Sequence, residues 1–551
     1  MVRAMAEAPA EPLPPGLVDD LARPAAHGGA PVETVQTHIS YVFLTPAHAL
    51  KLRKAVRFAF LDFGTRARRN EDALREVRLN RRLAPDVYLG VAPVARAAEG
   101  YRVGAPRETL AEGEGGAAPE HAVVMRRLPA GRDALSLLER GALEPAHVDA
   151  VARVLAAFHA RVGLGRPAPF TPEAWRARLA EPMAENLASL RATRPSGVAP
   201  EAVERVEAAF AARLAAGAAR LEARRVEGRA VDGHGDVHLQ HVWFEARPEA
   251  PLLVDCVEFS DALRRIDAAG EVAFLAMDLA YRGRGDLGAR FLRRYAEASD
   301  DFGLFGVVDL HAAYRAAVRA KVAGLASAEP ELPGAQREAA AASAARHLAL
   351  AERLLAPPRP GPLVVLCGTV GAGKSTVAQA LADRLEGVVV SSDRTRKRLA
   401  GLAPDARAGA AAGEGLYTDP WNERTYRALL ERAEPVVASG RAALLDATYA
   451  RARDRAAARA FAEAAGAAAW LVEARCGEAT ARERLARRAR DGSDPSDAGP
   501  DLLARSRAGF EPPEEWPAAR RLVVATDAPA PGTALDAAAR AIAGAGGPPA
   551  P

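Results

Sequence analysis

The chain has 551 residues, 49% of them hydrophobic and 26% charged, too long for one hydrophobic core and too apolar for a disordered polymer, so two or three globular domains are expected. Its 74 basic residues stand against 70 acidic ones, a net charge of +4, and the arginines are scattered along Ala-rich stretches such as Arg451 to Arg459, which argues against stable nucleic-acid binding. Three cysteines, Cys256, Cys367 and Cys476, lie far apart without CxxC or His spacing, as suits a reducing cytosol with no structural zinc.

Residues 1–30 are rich in Ala, Pro and Gly and read as a mobile leader. They lack the apolar core of a signal peptide, and no apolar run approaches the roughly 20 residues that span a bilayer, so a cytoplasmic protein without membrane contact is expected. Residues 31–355 follow as one domain. Strand-like YVFLT and HALKLRKAV precede the helical pattern DALREVRLNRRLA, and a second strand-like pair lies near Ala122 to Leu128. The pattern is helical from Ala146 to about Arg229, strand-like at HVWFEA and PLLVDCVEF, and helical again to Leu355. APPRPGP, at 356–362, reads as a linker.

From 363 to 528 the texture alternates: PLVVLCG, a helix STVAQALADRL, GVVVSSD, a helix, AALLDATY, a helix, AAAWLVEARC, a lid-like helix, and RRLVVATD. Five apolar strands with helical crossovers imply an α/β domain, a parallel sheet with helices on both faces. Residues 529–551 form an Ala, Gly and Pro tail with one helical stretch.

GTVGAGKS, Gly368 to Ser375, fits G-x-x-x-x-G-K-[ST] and sits between a strand and a helix, the context that gives the motif its meaning. Glycines such as Gly368, Gly371 and Gly373 let backbone amides turn into one anion nest, and the helix that carries Ser375 and Thr376 adds its positive end. Lys374 would reach the outer phosphates of ATP and Ser375 would ligate Mg2+. The chain has only five lysines, Lys51, Lys54, Lys321, Lys374 and Lys397, with arginine supplying the other 69 basic residues. A tight phosphate contact distinguishes the two side chains, so the lysines that remain are candidate sites.

Asp393 ends the second strand and Arg396 follows one turn later, placing carboxylate and guanidinium on one helix face. Asp393 would take or orient the proton of an acceptor hydroxyl, and Arg396 would hold a phosphate; the competing reading is a helix cap. Asp446 ends the third strand, where a magnesium-shell carboxylate belongs. Arg484, Arg487 and Arg488 precede a Gly, Ser and Asp-rich loop and suit a lid that closes over the transferring phosphate, or a solvated helix. Together, GTVGAGKS, SSDRTRKRL, LDATY and DPSDA resemble the small P-loop kinases of the AAA-type predicted-kinase branch near the 5′-kinase domain of polynucleotide kinase, and the zeta-toxin and gluconate-kinase-like enzymes. The resemblance covers about Pro362 to Ala525 and implies phosphorylation of a small-molecule hydroxyl or a nucleic-acid end.

In the N-terminal domain, GHGDVHLQHVWF followed by LLVDCVEF has the order of a kinase catalytic loop and then a metal-binding aspartate: Asp236 for the hydroxyl proton, Asp255 for the bridging metal. Lys51 on a strand and Glu76 on the next helix suit the ion pair that holds the α and β phosphates. With HISYVFLT, FAFLDFGT and EVRLNRRLAPDVYLGV in the same order, Val32 to Leu355 resembles the aminoglycoside-phosphotransferase-like branch of the bilobal protein-kinase fold. It resembles in particular a bacterial family that fuses such an α+β domain to a P-loop kinase. Two departures stand out: His241 occupies the place of a metal-binding Asn, and HISYVFLT has no glycine for a phosphate loop. The domain is therefore either a kinase or a pseudokinase. His234, His238 and His241 also invite a metal-site reading, which needs a convergent carboxylate that sequence alone does not place. A different class of function stays open as well: a nucleotide-dependent ATPase switch with a ligand-binding N-terminal domain.

Overall fold

The computed structural model describes residues 10–58, 61–111, 118–245, 247–402, 416, 418–491 and 502–544. Contacts divide the chain into two compact units, Met1–Val154 with Phe158–Pro169 and Val226–Leu275, and Leu155–Ala157 with Phe170–Arg225 and Ala276–Pro551.

The first unit is built on a six-stranded antiparallel sheet. Its strands run in the spatial order Glu33–Gln36, Ser40–Leu44, His48–Arg53, Glu120–Arg126, Tyr88–Ala97, Gly100–Val103. Alternation along His48–Arg53 decides what each face does. Leu50 and Leu52 join Phe43, Ala92 and Val124 in an apolar cluster, whereas Lys51 and Arg53 meet the acids of the helix Arg66–Asn80. That helix presents Ala73 and Val77 to Val87, Tyr88, Val91 and Val123, and Thr65 caps its first turn.

Part of the stretch expected to be a mobile leader is packed instead. The helix Leu17–Leu21 buries both leucines completely beneath the sheet. The i, i+4 spacing sets the two side chains on one helix face, a signal that five residues among prolines and glycines barely show.

Two short antiparallel pairings frame the loop of interest in this unit. Ala230–Asp232 pairs with Arg265–Asp267, and Val242–Phe244 pairs with Pro251–Leu253, in register Val242 to Leu253. The second pairing brings the residue before one strand, His241, beside the residues after the other, Val254 and Asp255.

The second unit contains a five-stranded parallel sheet in the order Val388–Ser391, Ala443–Asp446, Leu363–Cys367, Ala469–Arg475, Arg521–Ala525. All five residues of Leu363–Cys367 are buried, as a parallel strand covered on both faces requires. Its core joins Val364, Leu366, Leu444 and Val472 to Leu381 of the helix Lys374–Leu385 and to Leu535 and Ile542 of the helix Pro531–Gly544. Residues 356–362 carry neither helix nor strand.

Helices Pro172–Thr193, Pro200–Ala216, Gly285–Ser299, Val308–Ser327 and Gly334–Leu355 belong to the same unit as this sheet. Forked guanidinium pairs link them to the segments around the sheet: Arg441, just before the strand Ala443–Asp446, donates to Asp309 at 2.7 and 2.9 Å, and Arg432, on the helix Asp419–Ala438, to Asp300 at 2.7 and 2.9 Å. Among the described residues no helix is long and apolar enough to cross a membrane.

Candidate functional sites

In the second unit, the phosphate loop follows the central strand at the point where successive crossovers turn to opposite sides of the sheet, the crevice where open α/β sheets bind ligands. Gly368, Gly371 and Gly373 have φ of 143, 80 and 86°. Side chains there are excluded by the backbone conformation and by crowding: a Cβ on Gly368 would lie 2.5 Å from the Ala474 oxygen. The helix begins at Lys374 with Gly373 as its N-cap and no side-chain cap. Its first amides therefore need an external acceptor, which an anion supplies. Ser375 and Thr376 on this first turn are exposed, and the Lys374 ammonium donates to the Thr369 oxygen at 2.9 Å, folded over its own loop.

Asp446 ends its strand in register with Leu366 on one side and Ser391 on the other, so the phosphate loop, Asp446 and the Asp393 helix leave one edge of the sheet together. Asp446 is 7% exposed. A hydroxyl and a carboxylate are hard oxygen donors, and Ser375 and Asp446 thus fit a magnesium ion. Asp393 lies in the first turn of the helix Ser392–Leu399, whose N-cap is Ser391 with no side-chain cap bond. Its Oδ1 is 3.5 Å from Arg396 Nη1, and Arg396 Nη2 donates to Asn422 Oδ1 at 2.9 Å. The side chain of Arg488 and the loop 492–501, with DPSDA, lie outside the described residues.

Arg484 does not stand in a lid. Its Nη1 donates to Thr526 Oγ1 at 2.8 Å and reaches the Gly371 oxygen at 3.4 Å, and its Nη2 donates to the Thr526 oxygen at 3.0 Å. Thr526 Oγ1 in turn donates to the Ala372 oxygen at 2.9 Å, and Ser506 Oγ accepts from the Val370 amide at 3.0 Å. The Gly371 and Ala372 oxygens and the Val370 amide of the loop are thus held from behind. Sequence reasoning missed Thr526 and Ser506.

In the first unit, the Lys51 ammonium donates to Glu76 Oε1 at 3.0 Å and to Asp255 Oδ1 at 2.8 Å. Burial pulls the lysine pKa down, but the Asp255 and Glu76 carboxylates outweigh it and hold it above the ordinary range. Burial likewise favours a protonated Asp255, and the Lys51 ammonium reverses that, keeping Asp255 ionised below the usual carboxylate range. Arg53, fully buried, donates to Asp72 at 2.7 Å and also to Glu76 and Glu258. It fixes Glu76 from the side opposite Lys51. Burial pushes the Glu258 carboxyl up. Asp255 has φ of +61°, and its amide donates to the Tyr88 hydroxyl oxygen at 3.0 Å; a left-handed non-glycine residue held this way is a feature of functional sites.

Asp236 follows Gly235, φ +86°, in a loop clamped by Glu271. Glu271 is fully buried and accepts from the His234 and Gly235 amides at 2.6 and 3.0 Å. His234 Nε2 donates to the Val254 oxygen at 2.9 Å, and burial holds its pKa at about 3, so the ring is neutral. His241 Nδ1 lies 2.9 Å from the Asp236 carbonyl oxygen, and its Nε2 lies 3.5 Å from Asp255 Oδ2. The structure thus brings Lys51, Glu76, Asp236 and Asp255 into one site.

Residues 363–513 match the model of an AAA domain family. The chain is 34% identical to the uncharacterized protein Rv2004c of Mycobacterium tuberculosis over 487 residues, 87% of this chain and 91% of that protein. It belongs to the same family. Among solved structures it is similar to a choline/ethanolamine kinase family protein of Mesorhizobium loti, at 17% identity with a TM-score of 0.33 over 61% of this chain and 99% of that one. It is also similar to a gluconokinase of Sinorhizobium meliloti, at 20% identity with a TM-score of 0.24 over 34% of this chain and 94% of that one.

Glu271 was legible only as one of two acids, with Asp278, in the apolar helix AAGEVAFLAMDLAY. Arg53 and Glu258 stand in runs already singled out, beside Lys51 and after Asp255, but no motif gives them a partner.

Proposed function

We propose that the second unit is an ATP-dependent phosphotransferase that moves the γ-phosphoryl group to a hydroxyl acceptor, a small molecule or a nucleic-acid end. The observation that carries this reading is the shared sheet edge: phosphate loop, Asp446 and the Asp393–Arg396 pair emerge side by side from three adjacent parallel strands. The amides at the start of the helix Lys374–Leu385 and the Lys374 ammonium hold the β and γ phosphates, and Ser375 with Asp446 holds the metal. Magnesium, when bound, neutralises charge on those phosphates. Asp393 orients the acceptor hydroxyl and takes its proton while the acceptor oxygen bonds to the γ phosphorus and the bond to the bridging oxygen breaks, releasing ADP. Arg396 stands where it meets charge on the transferred group. Arg488 is kept as a lid residue on the same reading.

We assign the first unit an aminoglycoside-phosphotransferase-like role, Lys51, held by its ion pair with Glu76, facing nucleotide phosphates and Asp236 facing a second hydroxyl. The test uses the whole chain, because residues 276–355 pack with the P-loop sheet and cutting at Pro358 would divide that unit. Labelled γ-phosphate from ATP is followed onto a panel of hydroxyl acceptors with wild type, Lys374→Ala and Asp236→Ala. Transfer lost only in Lys374→Ala assigns the chemistry to the second unit; loss only in Asp236→Ala assigns it to the first. A second reading, the ATPase switch, is favoured by the engagement of Arg396 with Asn422, which suits a structural arginine. It requires ATP hydrolysis that no acceptor in the panel alters.

A further inference from the structure

We infer that the first unit binds one divalent transition-metal ion on Asp236, His238 and His241, with Asp255 beside His241. The site is distinct in ligands and in metal from the magnesium site proposed at Ser375 and Asp446.

The reasoning starts from the tautomer of His241. Its Nδ1 lies 2.9 Å from the carbonyl oxygen of Asp236. A carbonyl oxygen only accepts, so Nδ1 carries the hydrogen, and in the neutral ring Nε2 is a lone pair. That lone pair faces Asp255 Oδ2 at 3.5 Å. Asp255 Oδ1 is already matched by the Lys51 ammonium at 2.8 Å, so Oδ2 is the oxygen left turned toward the ring. A ring lone pair and a carboxylate oxygen facing each other with no hydrogen between them repel; a cation between them turns both contacts attractive.

A second histidine and carboxylate pair lies beside the first. His238 Nε2 lies 3.6 Å from Asp236 Oδ2, beyond hydrogen-bond length, and the His238 and His241 rings sit 3.9 Å apart between centroids. Asp236, His238 and His241 each offer a ligand atom, and these atoms lie within 4.8 Å of one another. Separations of 3.5 and 3.6 Å are short enough for an ion about 2.1 Å from its nitrogen and oxygen ligands, as on zinc, to touch both partners of either pair.

Ligand chemistry selects the metal class. Two imidazoles with two carboxylates suit zinc, cobalt, manganese or ferrous iron, whereas magnesium takes oxygen ligands. The substitution of His241 for the expected Asn thereby changes the preferred ion and does not merely remove a ligand. The supports typical of such sites are present: the Nδ1 hydrogen bond to Asp236 fixes the His241 ring, and the Tyr88 hydroxyl pins the Asp255 backbone. The side chains of Asp236 and Asp255 are 34% and 47% exposed, which gives an ion a path in and leaves room for water or phosphate as a further ligand.

The test is a cobalt titration of full-length, tag-free protein stripped with chelator, in excess Mg2+, followed by visible absorption. The expected result is one Co2+ per chain with d–d bands, displaced by Zn2+, with His238→Ala and His241→Ala each weakening binding at least tenfold. His241→Asn, the conservative change, should abolish the d–d bands while circular dichroism stays native. Cys476→Ser should leave the bands unchanged. Absence of bands in wild type, displacement by Mg2+, bands indifferent to both histidine variants, or loss of bands in Cys476→Ser overturns the proposal. The readout is the spectrum of the bound ion, so it stands or falls separately from phosphotransfer by the second unit.

Discussion

Arg484→Ala tests whether the phosphate loop is held in shape from behind. The substitution removes two well-formed bonds, to Thr526 Oγ1 at 2.8 Å and to the Thr526 oxygen at 3.0 Å, and a longer approach to the Gly371 oxygen at 3.4 Å. A hydrogen bond from a charged donor contributes about 1.5–3 kcal/mol, and Arg484 is half-buried, so the lower end applies to each of the two, about 3 kcal/mol together. Water recovers part of this once the guanidinium is gone. Ordering the loop for phosphate then becomes costlier by about 1.5–3 kcal/mol, roughly a 10- to 100-fold loss of ATP affinity. The assay is calorimetric ATP titration of wild type, Arg484→Ala, Thr526→Val and the double variant. Because the two side chains share the 2.8 Å bond while each also holds the loop separately, the double variant should lose less affinity than the sum of the single losses, a coupling of about 1 kcal/mol. Folded Arg484→Ala protein with wild-type affinity, or strictly additive losses, would refute the reasoning.

Asp393→Asn should leave ATP affinity within about twofold and depress transfer to the acceptor by about 100-fold, since general-base removal costs on that order; equal losses in affinity and transfer would return Asp393 to the nucleotide site. Glu271→Ala should destabilise the first unit by about 2–5 kcal/mol in urea unfolding, because two buried amides lose their acceptor; a change below about 1 kcal/mol would contradict the clamp. His347 is buried against Tyr281, with ring centroids 3.6 Å apart, and burial lowers its pKa to about 4. The folded value is depressed below the unfolded 6.5, so this contribution is present above pH 6.5 and is lost as pH falls from 6.5 to 4, up to about 3 kcal/mol. His347→Phe should flatten that acid slope of the second unit; an unchanged slope would show that other groups set it.

What the chain revealed in advance was what its chemistry keeps local. Eight contiguous residues make the phosphate loop, and its strand before and helix after follow from runs of apolar residues. Asp393 and Arg396 are one helical turn apart, so their pairing could be read directly. The supports could not. Arg484 meets Thr526 across 42 positions and His234 meets Glu271 across 37, and no short-range pattern signals either contact. Leu17 and Leu21 escaped for the opposite reason, a helix too short to show a period. His241 was legible as a departure from the kinase pattern, but what it faces became visible only when the Val242–Leu253 pairing set it beside Asp255.

The most direct measurement of the central claim is transfer of labelled γ-phosphate by the intact chain, comparing wild type with Lys374→Ala at saturating ATP and Mg2+. With the phosphate loop as the catalytic centre, the variant stays folded and loses at least about 100-fold of acceptor phosphorylation, as expected when a group stabilising phosphoryl-transfer charge is removed. Phosphorylation that continues at the wild-type rate in Lys374→Ala would contradict it.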